Sequence, residues 1–458
     1  MKAVPALRAA LGVERVRDDP ETLALYSHDD TPKSCTPALV LFPSGHAEVQ
    51  AIVRIARRHG LPLVARGAGS GNVGGALPVP GSAVISFECM QRVLDFHAAD
   101  RYATVEAGCV TGEIDALARS HGLFYAPDPG SSPYCRIGGN LAMNAAGPHA
   151  VKYGVTRDHV LALRAVTGAG EELCCGTRTS KGVVGYDLTR LLVGSEGTLA
   201  LITEATLRLL PAPEARATLR ACYADSAGAC AAVQRVMAQR VIPSALEFMD
   251  PHALAAVRAM GAAADLPAAT RALLLVEVDG EADSIPRQLH ALQEALAGEE
   301  LLELREATDQ AAIAQLWAAR KSLSPATKAM APLKINEDVV VPVSRLLELL
   351  LEIEAIARDE QLLIVSFGHA GNGNLHVNFL VHPGDKAEMT RARHGLQRLF
   401  HQVLALGGTL SGEHGIGSEK AAFVPLELSP ENLALQRGIK ALFDPDGILN
   451  PGKLFPEV

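Results

Sequence analysis

The chain lacks the paired cysteines that hold iron–sulfur clusters and structural zinc ions. Its eight cysteines all lie between Cys35 and Cys230, and no two of them form a Cys-x-x-Cys pair. Such pairs supply most of the thiolate ligands to clusters and to cysteine zinc sites. We therefore expect neither kind of centre on this chain.

A basic excess and a long apolar run are also missing. The 458 residues carry a net charge of −9, which argues against nucleic acid as a partner. No apolar run reaches the roughly 18 residues of a membrane span, and Met1–Pro5 lacks the apolar core of a secretory signal. With 48% hydrophobic and 20% charged residues, we expect a cytoplasmic globular protein of two or three domains.

The first half of the chain predicts a mixed α+β domain. Val40–Phe42 and Leu61–Ala65 are short strands on either side of an amphipathic helix. Ser44 is the expected N-cap of this helix, and Gly60 ends it. Further strands are expected over 83–87, 103–107, 160–166 and 199–204, the last within a strand-rich stretch over 191–210, and a helix is expected over 112–121.

Proline density at Pro211-Ala-Pro213 marks a domain boundary. Beyond it, alanine-rich helices and separate strands indicate a second α+β domain with an antiparallel sheet. The acidic run Glu299–Glu306 is interpreted as a solvated helix face, and Glu337 and Asp338 as strand-edge charges. The expected helices lie at about 226–240, 251–260, 283–298 and 344–358, and the strands at about 272–278, 335–341, 363–367 and 375–381.

A glycine-rich segment, Arg66–Gly75, directly follows a predicted strand. Part of it matches the dinucleotide fingerprint G-x-G-x-x-G, but that motif must open a helix, and Pro78 and Pro80 forbid one. Two interpretations stay open: a run of backbone N–H groups that cradles a diphosphate, or a plain tight turn.

Glycine and asparagine recur in later loops of the same domain. Pro127–Ser132, Ile137–Gly147 and Leu192–Thr198 are rich in these residues. Glycines concentrated in separate loops indicate a backbone pressed against a large, flat, polar ligand.

Two imidazoles and a carboxylate are grouped in two glycine-punctuated segments near the end of the chain. His369 and His376 lie seven residues apart, and Glu413 precedes His414. Imidazole and carboxylate ligands suit zinc and similar divalent ions, and three such ligands leave open positions typical of a catalytic metal. Strand alternation would place His376 and Asn378 on one face. Solvated or hydrogen-bonded roles are expected for His28, His46, His59, His97, His121 and His401.

Taken in order, these motifs resemble the vanillyl-alcohol oxidase/p-cresol methylhydroxylase superfamily. Together with the second half, they resemble its D-2-hydroxyacid dehydrogenase branch, which contains D-lactate dehydrogenases, glycolate oxidase flavin subunits and D-2-hydroxyglutarate dehydrogenases. The resemblance spans residues 20–457. It implies a two-subdomain FAD-binding domain over 1–213 and an α+β substrate domain over 214–415. The C-terminal segment 416–458 would pack back on the FAD domain.

The resemblance also implies which residues contact FAD. Relatives that tether FAD covalently have a histidine where this chain has Ser70, so we expect noncovalent FAD. The implied contacts are Arg66, Gly67, Ala68, Gly69, Ser70, Gly71 and Asn72 at the diphosphate, Pro129, Gly130, Gly138, Gly139, Asn140, Asn144 and Gly147 at the ring and ribityl chain, and Glu196, Gly197, Ile202 and Asn450 elsewhere.

The implied chemistry is oxidation of a 2-hydroxy acid. His369, His376 and Glu413 would bind zinc, or manganese or iron, and the metal would polarise the substrate hydroxyl. His414 is the candidate base, and the Cα hydrogen would leave as hydride to the flavin.

Three further residues would act on the substrate. By the same resemblance, Arg320 and Lys334 would bind its carboxylate, with Asn378 close by. The family motif has an aspartate where this chain has Asn372, which could alter metal affinity if that aspartate orients a ligand.

Several alternatives stay open at this stage. D-lactate or glycolate is the expected substrate, and D-2-hydroxyglutarate is the near alternative. The rivals are a flavin-binding electron-transfer subunit, a metal-dependent hydrolase and an oxidase that uses molecular oxygen. Without clusters on the chain, electrons would pass to a separate iron–sulfur subunit, cytochrome, quinone-linked partner or electron-transferring flavoprotein. Membrane association through such a partner and a homodimer are both left open.

Overall fold

The computed structural model describes residues 2–456 and divides the chain into two units. The first unit comprises Met1–Gly147, Gly154–Ala212 and Glu413–Val458. The second comprises Pro148–Tyr153 and Pro213–Gly412.

The strands are β1 (Val16–Arg17), β2 (Leu39–Leu41), β3 (Leu63–Arg66), β4 (Ala83–Ser86), β5 (Val93–His97), β6 (Tyr102–Glu106), β7 (Leu123–Phe124), β8 (Val160–Thr167), β9 (Glu172–Gly176), β10 (Ala200–Arg208), β11 (Leu210–Pro211), β12 (Ala215–Tyr223), β13 (Ala245–Met249), β14 (Ala272–Gly280), β15 (Leu301–Ala307), β16 (Leu333–Val340), β17 (Leu363–His369) and β18 (Asn374–Val381).

The helices are α1 (Val4–Leu11), α2 (Pro20–Leu25), α3 (His46–His59), α4 (Thr111–Arg119), α5 (Ile137–Met143), α6 (Ala150–Tyr153), α7 (Leu188–Leu192), α8 (Ser226–Ala238), α9 (Pro251–Ala259), α10 (Ile285–Leu296), α11 (Gln310–Lys321), α12 (Leu323–Met330), α13 (Leu346–Asp359), α14 (Lys386–Ala405), α15 (Val424–Glu427) and α16 (Pro430–Phe443). Among the described residues, no helix is long and apolar enough to cross a membrane.

The first unit contains two main sheets. One has the order β1-β2-β4-β3, in which β2, β4 and β3 run parallel. The other is antiparallel, with the order β5-β6-β10-β8-β9. Helices α1 and α3 share an apolar core with the parallel strands. After β3 the chain stays irregular to residue 82, so the glycine segment opens no helix, as predicted.

Helix α3 was predicted correctly except at its start. Gly60 ends the helix in the left-handed conformation, with φ of 59°. The N-cap is Gly45 rather than Ser44. The Ser44 backbone N–H instead donates to Glu48 Oε2 at 2.8 Å, so the side chain of Glu48 supplies the acceptor at this end.

The second unit is built on one antiparallel sheet of seven strands, with the order β15-β12-β14-β13-β17-β18-β16. Helices α9, α11 and α12 share an apolar cluster with side chains of one face, among them Leu275, Val365 and Phe367. Side chains of opposite parity, such as Phe379 beside Gly395 of α14, face the helices on the other side.

The strand expected over 199–204 is confirmed, because β10 begins at Ala200 after a loop. The expectation about the acidic run was wrong. The acidic run is the edge strand β15 and not a helix. Its Glu303 Oε1 lies 2.7 Å from Nη2 of Arg220, a buried cation on β12 that needs a carboxylate partner.

Residues 148–153 belong to the second unit, although they were expected within the first domain. His149 Nε2 lies 3.1 Å from Glu277 Oε1, and Lys152 and Tyr153 both donate to Asp279. Two buried carboxylates of β14 therefore bind this short segment to the sheet.

Replacing Asp250 by alanine should destabilise the second unit more than the loss of an exposed cap would. Asp250 accepts from Ala253 N at 2.6 Å, which caps α9, and from Ser366 N on β17 at 2.7 Å. Losing the cap and leaving a buried N–H unsatisfied should lower the free energy of unfolding by about 2–4 kcal/mol. Asp225 caps α8 at an exposed position, so D225A should cost about 1 kcal/mol. Urea unfolding of both variants measures the difference, and equal losses would contradict it.

Candidate active site

Polar side chains form a row across one face of the sheet in the second unit. Glu247 of β13 is the register partner of His369 at the end of β17. On the neighbouring strand pair, Phe367 lies opposite His376, and His376 lies opposite Asp338. Paired residues point to the same face of a sheet. The antiparallel register therefore gathers residues that are distant in sequence, and we call Glu247, His369, His376 and Asp338 the polar row.

The two histidines of the row are neighbours. Their ring centroids lie 5.3 Å apart with the ring planes at 86°, and both residues are buried. A tight turn between β17 and β18 brings His376 back beside His369. Gly373 in this turn has φ of 70°, and a Cβ there would lie 1.9 Å from Val341 O. The turn therefore requires glycine at this position.

Glu247 contacts both His369 and a cation from α11. Its Oε1 lies 2.5 Å from His369 Nδ1, and its Oε2 accepts from Arg320 Nε at 2.6 Å. The Glu247 side chain has no exposed surface. Arg320 also stacks on the ring of Phe367, with 4.9 Å from Cζ to the ring centroid. One buried carboxylate therefore holds an imidazole and a guanidinium together.

Glu247 is ionised in this setting. Burial alone would raise its pKa, but His369 and Arg320 outweigh that effect and lower the pKa to about 2. An ionised carboxylate is only an acceptor. The His369 Nδ1 therefore donates to Glu247, and when the ring is neutral the lone pair that a metal ion requires lies on Nε2.

Asp338 lies at the other end of the row, on the edge strand β16 as expected, but it is fully buried and is therefore not a solvated charge. It accepts from Asn374 Nδ2 at 2.6 Å and from Gly412 N at 2.9 Å, and its Oδ1 lies 3.9 Å from His376 Nδ1. Glu337 on the same strand is also buried, so it is not a solvated charge either. A buried charge in the interior needs such donors, whereas a solvated edge charge would not.

Glu413 and His414 follow Gly412 along the chain and belong to the first unit. In that unit, His414 Nε2 lies 3.9 Å from Glu413 Oε1. The role of Glu413 as a third metal ligand and the role of His414 as a base both stay predictions.

Asn378 and Asn372 differ in their burial. Asn378 has no exposed surface, and its Nδ2 donates to Val365 O at 3.0 Å and to His376 O at 3.1 Å. Asn372 is exposed in the turn after β17. An exposed amide does not orient a buried imidazole, and within this unit the carboxylates near the histidines are Glu247 and Asp338.

The two predicted substrate cations lie at different places. Arg320 is held beside His369 through Glu247. Lys334 is half-buried on β16, on the face of Asp338 but four residues away. Four residues of strand span about 13 Å. The structure therefore brings Arg320 to the polar row and places Lys334 farther along the same face.

The predicted FAD loops meet one another within the first unit. Asn450 Nδ2 donates to Gly75 O at 3.0 Å and to Glu196 O at 2.6 Å. A Cβ at Gly67 would lie 3.1 Å from Arg136 Cβ, just before α5. The C-terminal segment, the glycine segment and the loop before β10 therefore converge.

Open space and an unsatisfied polar atom accompany this convergence. A Cβ built at Gly71, Gly130 or Gly139 would meet no atom within 4 Å. Asn450 Oδ1 is buried and has no hydrogen-bond partner. Glycine backbones that border open space, together with a buried acceptor that lacks a donor, fit a large polar cofactor such as FAD.

Some predicted FAD contacts are engaged within the protein. Asn140 Oδ1 accepts from Thr111 Oγ1. Asn144 ends α5 in the left-handed conformation, and its Oδ1 accepts from Arg157 N at 2.9 Å. The buried Glu196 carboxylate accepts from Ile416 N and Gly417 N, each at 2.7 Å. The side chains of these residues shape the loops, and their contacts with FAD remain predictions.

Arg66 packs over its own glycine segment. Its Nη1 donates to His28 O at 2.5 Å, and a Cβ at Gly69 would lie 2.2 Å from Arg66 Nη2. Burial lowers the pKa of Arg66. A buried guanidinium above a glycine turn is suited to an anionic group such as a diphosphate.

The remaining predicted contacts differ in their exposure. Pro129, Gly147, Gly197 and Ile202 are buried, Ser70, Asn72 and Gly138 are half-buried, and Ala68 is exposed.

Comparison with known proteins identifies the family. Residues 212–454 match the model for the C-terminal domain of FAD linked oxidases, and residues 37–176 match an FAD binding domain. The chain belongs to the FAD-linked oxidase family. It is therefore an FAD-linked oxidoreductase.

Three relatives align over nearly the whole chain. The glycolate oxidase subunit GlcD of Bacillus subtilis (strain 168) is 37% identical over 97% of this chain and 94% of its own length. The D-lactate dehydrogenase of Anaerostipes hadrus is 31% identical, with 94% and 92% covered. The D-2-hydroxyglutarate dehydrogenase of Xanthomonas citri pv. viticola is 35% identical, with 99% and 95% covered. These relatives confirm the resemblance inferred from the sequence.

A solved structure confirms the fold class. p-Cresol methylhydroxylase has a TM-score of 0.83 to this chain at 16% identity, over 99% of this chain and 96% of that one. At this identity the likeness concerns the fold alone. The mixed α+β architecture with an antiparallel sheet agrees with the prediction.

Sequence analysis missed Glu247 as a site residue. Its signal is a lone glutamate inside the apolar strand Ala245–Met249. Charged residues are seldom fully buried unless they are paired. An acidic residue in such a strand therefore indicates a buried partner, although the sequence does not identify His369 and Arg320.

Replacing Gly139 by valine should abolish FAD binding without unfolding the protein. The space over Gly139 is open, so the new side chain fits the protein but occupies the proposed cofactor space. Gly438 in α16 is a matched control, because it is also helical with open space. FAD retention after gel filtration and circular dichroism measure the two effects. A folded G139V protein that binds FAD as tightly as G438V would contradict the assignment.

Proposed function

We propose that this protein is an FAD- and divalent-metal-dependent dehydrogenase that oxidises a small D-2-hydroxy acid to the 2-oxo acid. D-lactate or glycolate is the proposed substrate. The observation that carries the proposal is the buried pair His369–His376, joined through Glu247 to Arg320. Metal ligands beside a half-buried guanidinium suit a substrate that has both a hydroxyl and a carboxylate. The names of the relatives support the same substrate class.

His369, His376 and Glu413 are the residues that would hold the metal. Two imidazoles and a carboxylate suit zinc, and manganese or iron accepts the same ligands. A divalent ion bound there would polarise the substrate hydroxyl and stabilise the developing alkoxide.

Arg320 would bind the substrate carboxylate. Its Nε is engaged by Glu247, and its Nη atoms can donate in the paired geometry that carboxylates prefer. The ring of Phe367 and the Glu247 carboxylate fix the guanidinium, so little conformational entropy is lost when the substrate binds.

His414 would accept the hydroxyl proton. An imidazole next to a metal ligand in the chain can take this proton near neutral pH. Asn378 donates to the backbone carbonyl of His376 and would hold the strand beside this ligand and near the substrate. FAD, held noncovalently by the first unit, would accept the Cα hydrogen as hydride.

D-2-hydroxyglutarate is the alternative substrate. Lys334 lies farther along the face that carries the polar row, where a second carboxylate could be bound. A relative named for this substrate also supports it. A monocarboxylate would make no use of a cation at that distance.

A separate protein is the proposed electron acceptor. One relative is named as a subunit of glycolate oxidase, and the chain has no Cys-x-x-Cys pair for a cluster of its own. An iron–sulfur subunit, a cytochrome, a quinone-linked partner and an electron-transferring flavoprotein could each take this role. A cytoplasmic location, with membrane contact only through a partner, stays a prediction.

Anaerobic mixing with substrate should bleach the visible band of the flavin. We expect bleaching by D-lactate or glycolate, and slower bleaching by D-2-hydroxyglutarate. Prior treatment with a chelator should abolish bleaching, and added zinc should restore it. Faster bleaching by the diacid would select the alternative substrate. A yellow protein that none of these acids bleaches would instead favour a flavin-binding electron-transfer subunit.

Variants of His414 and Arg320 should change different kinetic constants. H414N removes the proposed base and should lower kcat by about 10²- to 10⁴-fold. R320M removes a charged hydrogen-bond donor and should raise KM by roughly 10- to 100-fold. H401N, at an exposed position of α14, is the control and should change neither. Steady-state kinetics with an artificial acceptor measures both constants. An H414N enzyme with normal kcat would exclude the proposed base.

A further inference from the structure

We propose that Glu247 is a positioning residue that fixes both a metal-binding imidazole and the substrate-binding guanidinium. The inference rests on the proposed function and extends it to a residue outside the predicted site. Glu247 would contact neither the metal ion nor the substrate. It would act through His369 on one carboxylate oxygen and through Arg320 on the other.

The two carboxylate oxygens of Glu247 contact different partners. Oε1 lies 2.5 Å from His369 Nδ1, and Oε2 lies 2.6 Å from Arg320 Nε. A carboxylate has two equivalent acceptors and can receive both donors at once. An amide of the same shape has one acceptor and one donor group, so it would face one of the two donors with an N–H. Only an acidic residue can serve both partners.

The contact with His369 sets the tautomer of the ring. With Nδ1–H donated to Glu247, the lone pair lies on Nε2, which is the atom that a metal ion would bind. In metal sites, a carboxylate on the far ring nitrogen holds the imidazole orientation and raises its basicity. A neutral amide could stabilise the opposite tautomer and place a proton on Nε2.

The contact with Arg320 connects this ligand to substrate binding. Arg320 comes from α11, whereas His369 comes from the end of β17, and Glu247 of β13 contacts both. In a 2-hydroxy acid the carboxylate and the hydroxyl lie on adjacent carbons, so the distance between them varies little. The guanidinium and the metal must match that distance, and a shared carboxylate keeps their separation constant.

A purely structural role would predict a different pattern of effects. Glu277 offers the comparison, because it is also a buried glutamate on an adjacent strand of the same sheet. It accepts from Trp317 Nε1 at 3.2 Å and lies 3.1 Å from His149 Nε2. Neither partner is a proposed ligand or a substrate contact. E277Q therefore reports the cost of neutralising a buried carboxylate that carries no positioning role.

The test measures zinc binding and substrate binding separately in E247Q. FAD-loaded, metal-depleted protein is titrated with ZnCl₂ by calorimetry. We expect E247Q to bind zinc 10- to 100-fold more weakly than the unchanged protein. Its KM for the hydroxy acid should also rise, measured at saturating zinc. R320M should raise KM alone and leave the zinc affinity unchanged, because it keeps the contact between His369 and Glu247.

Two results would overturn the inference. The first is an E247Q protein whose zinc affinity and KM stay within threefold of the original values. The second is an E277Q protein with losses equal to those of E247Q, since that would assign the effect to buried charge in general. If the unchanged protein itself binds no zinc, the proposed metal function fails, and the experiment below still decides the role of Glu247.

The tautomer of His369 gives a test on the unchanged protein, in which a mutant serves only to assign the signals. Protein with ¹⁵N-labelled histidine, metal-free, shows ring nitrogen shifts that distinguish Nδ1–H from Nε2–H. The His369 signals are assigned by their loss in H369Q. At a pH high enough for the ring to be neutral, we expect the remaining proton of His369 on Nδ1. A dominant Nε2–H form would refute the positioning role whatever the kinetics show.

Discussion

The shared carboxylate of Glu247 is the interaction on which the candidate site of the second unit depends. Burying a charge costs several kcal/mol unless it is paired and hydrogen-bonded. Here two donors from different elements satisfy it, and each is itself held by the pairing. Removing the carboxylate would leave a half-buried guanidinium without this partner and an imidazole without a fixed tautomer. Both contacts therefore depend on the same carboxylate.

The antiparallel sheet makes this pairing possible. Residues 247, 338, 369 and 376 are far apart along the chain, yet the register places them on neighbouring strands and on one face. A slip of one residue in any of these pairings would move a side chain of the row to the opposite face. The apolar side chains that share the face, such as Phe367 and Leu275, pack against α9 and α11 and oppose such a slip. The core packing therefore protects the geometry of the polar row.

Local sequence signals predicted much of the fold, whereas the long-range pairing of strands was not predicted. Gly60 ends α3 as predicted, because a left-handed C-cap is a local property. Pro78 and Pro80 excluded a helix after the glycine segment for the same kind of reason. The acidic strand β15 was mistaken for a helix. Its own residues do not show that it pairs with β12, or that the buried Arg220 on β12 requires a carboxylate partner. Short strands at sheet edges are decided by their partners.

In the candidate site, too, the residues with local sequence signals were predicted and those that depend on long-range pairing were not. His369 and His376 were predicted from spacing and from glycines, and the turn at Gly373 explains why that spacing works. Asp338 and Glu247 were misjudged or missed, because a carboxylate on a strand looks solvated until its neighbours are known. The ligands of a site carry local motifs, since their spacing is constrained by one turn. The groups that orient those ligands come from other strands, and they carry no local motif, because a buried charged side chain is all that the role requires. A single sequence does not reveal which strands will be neighbours.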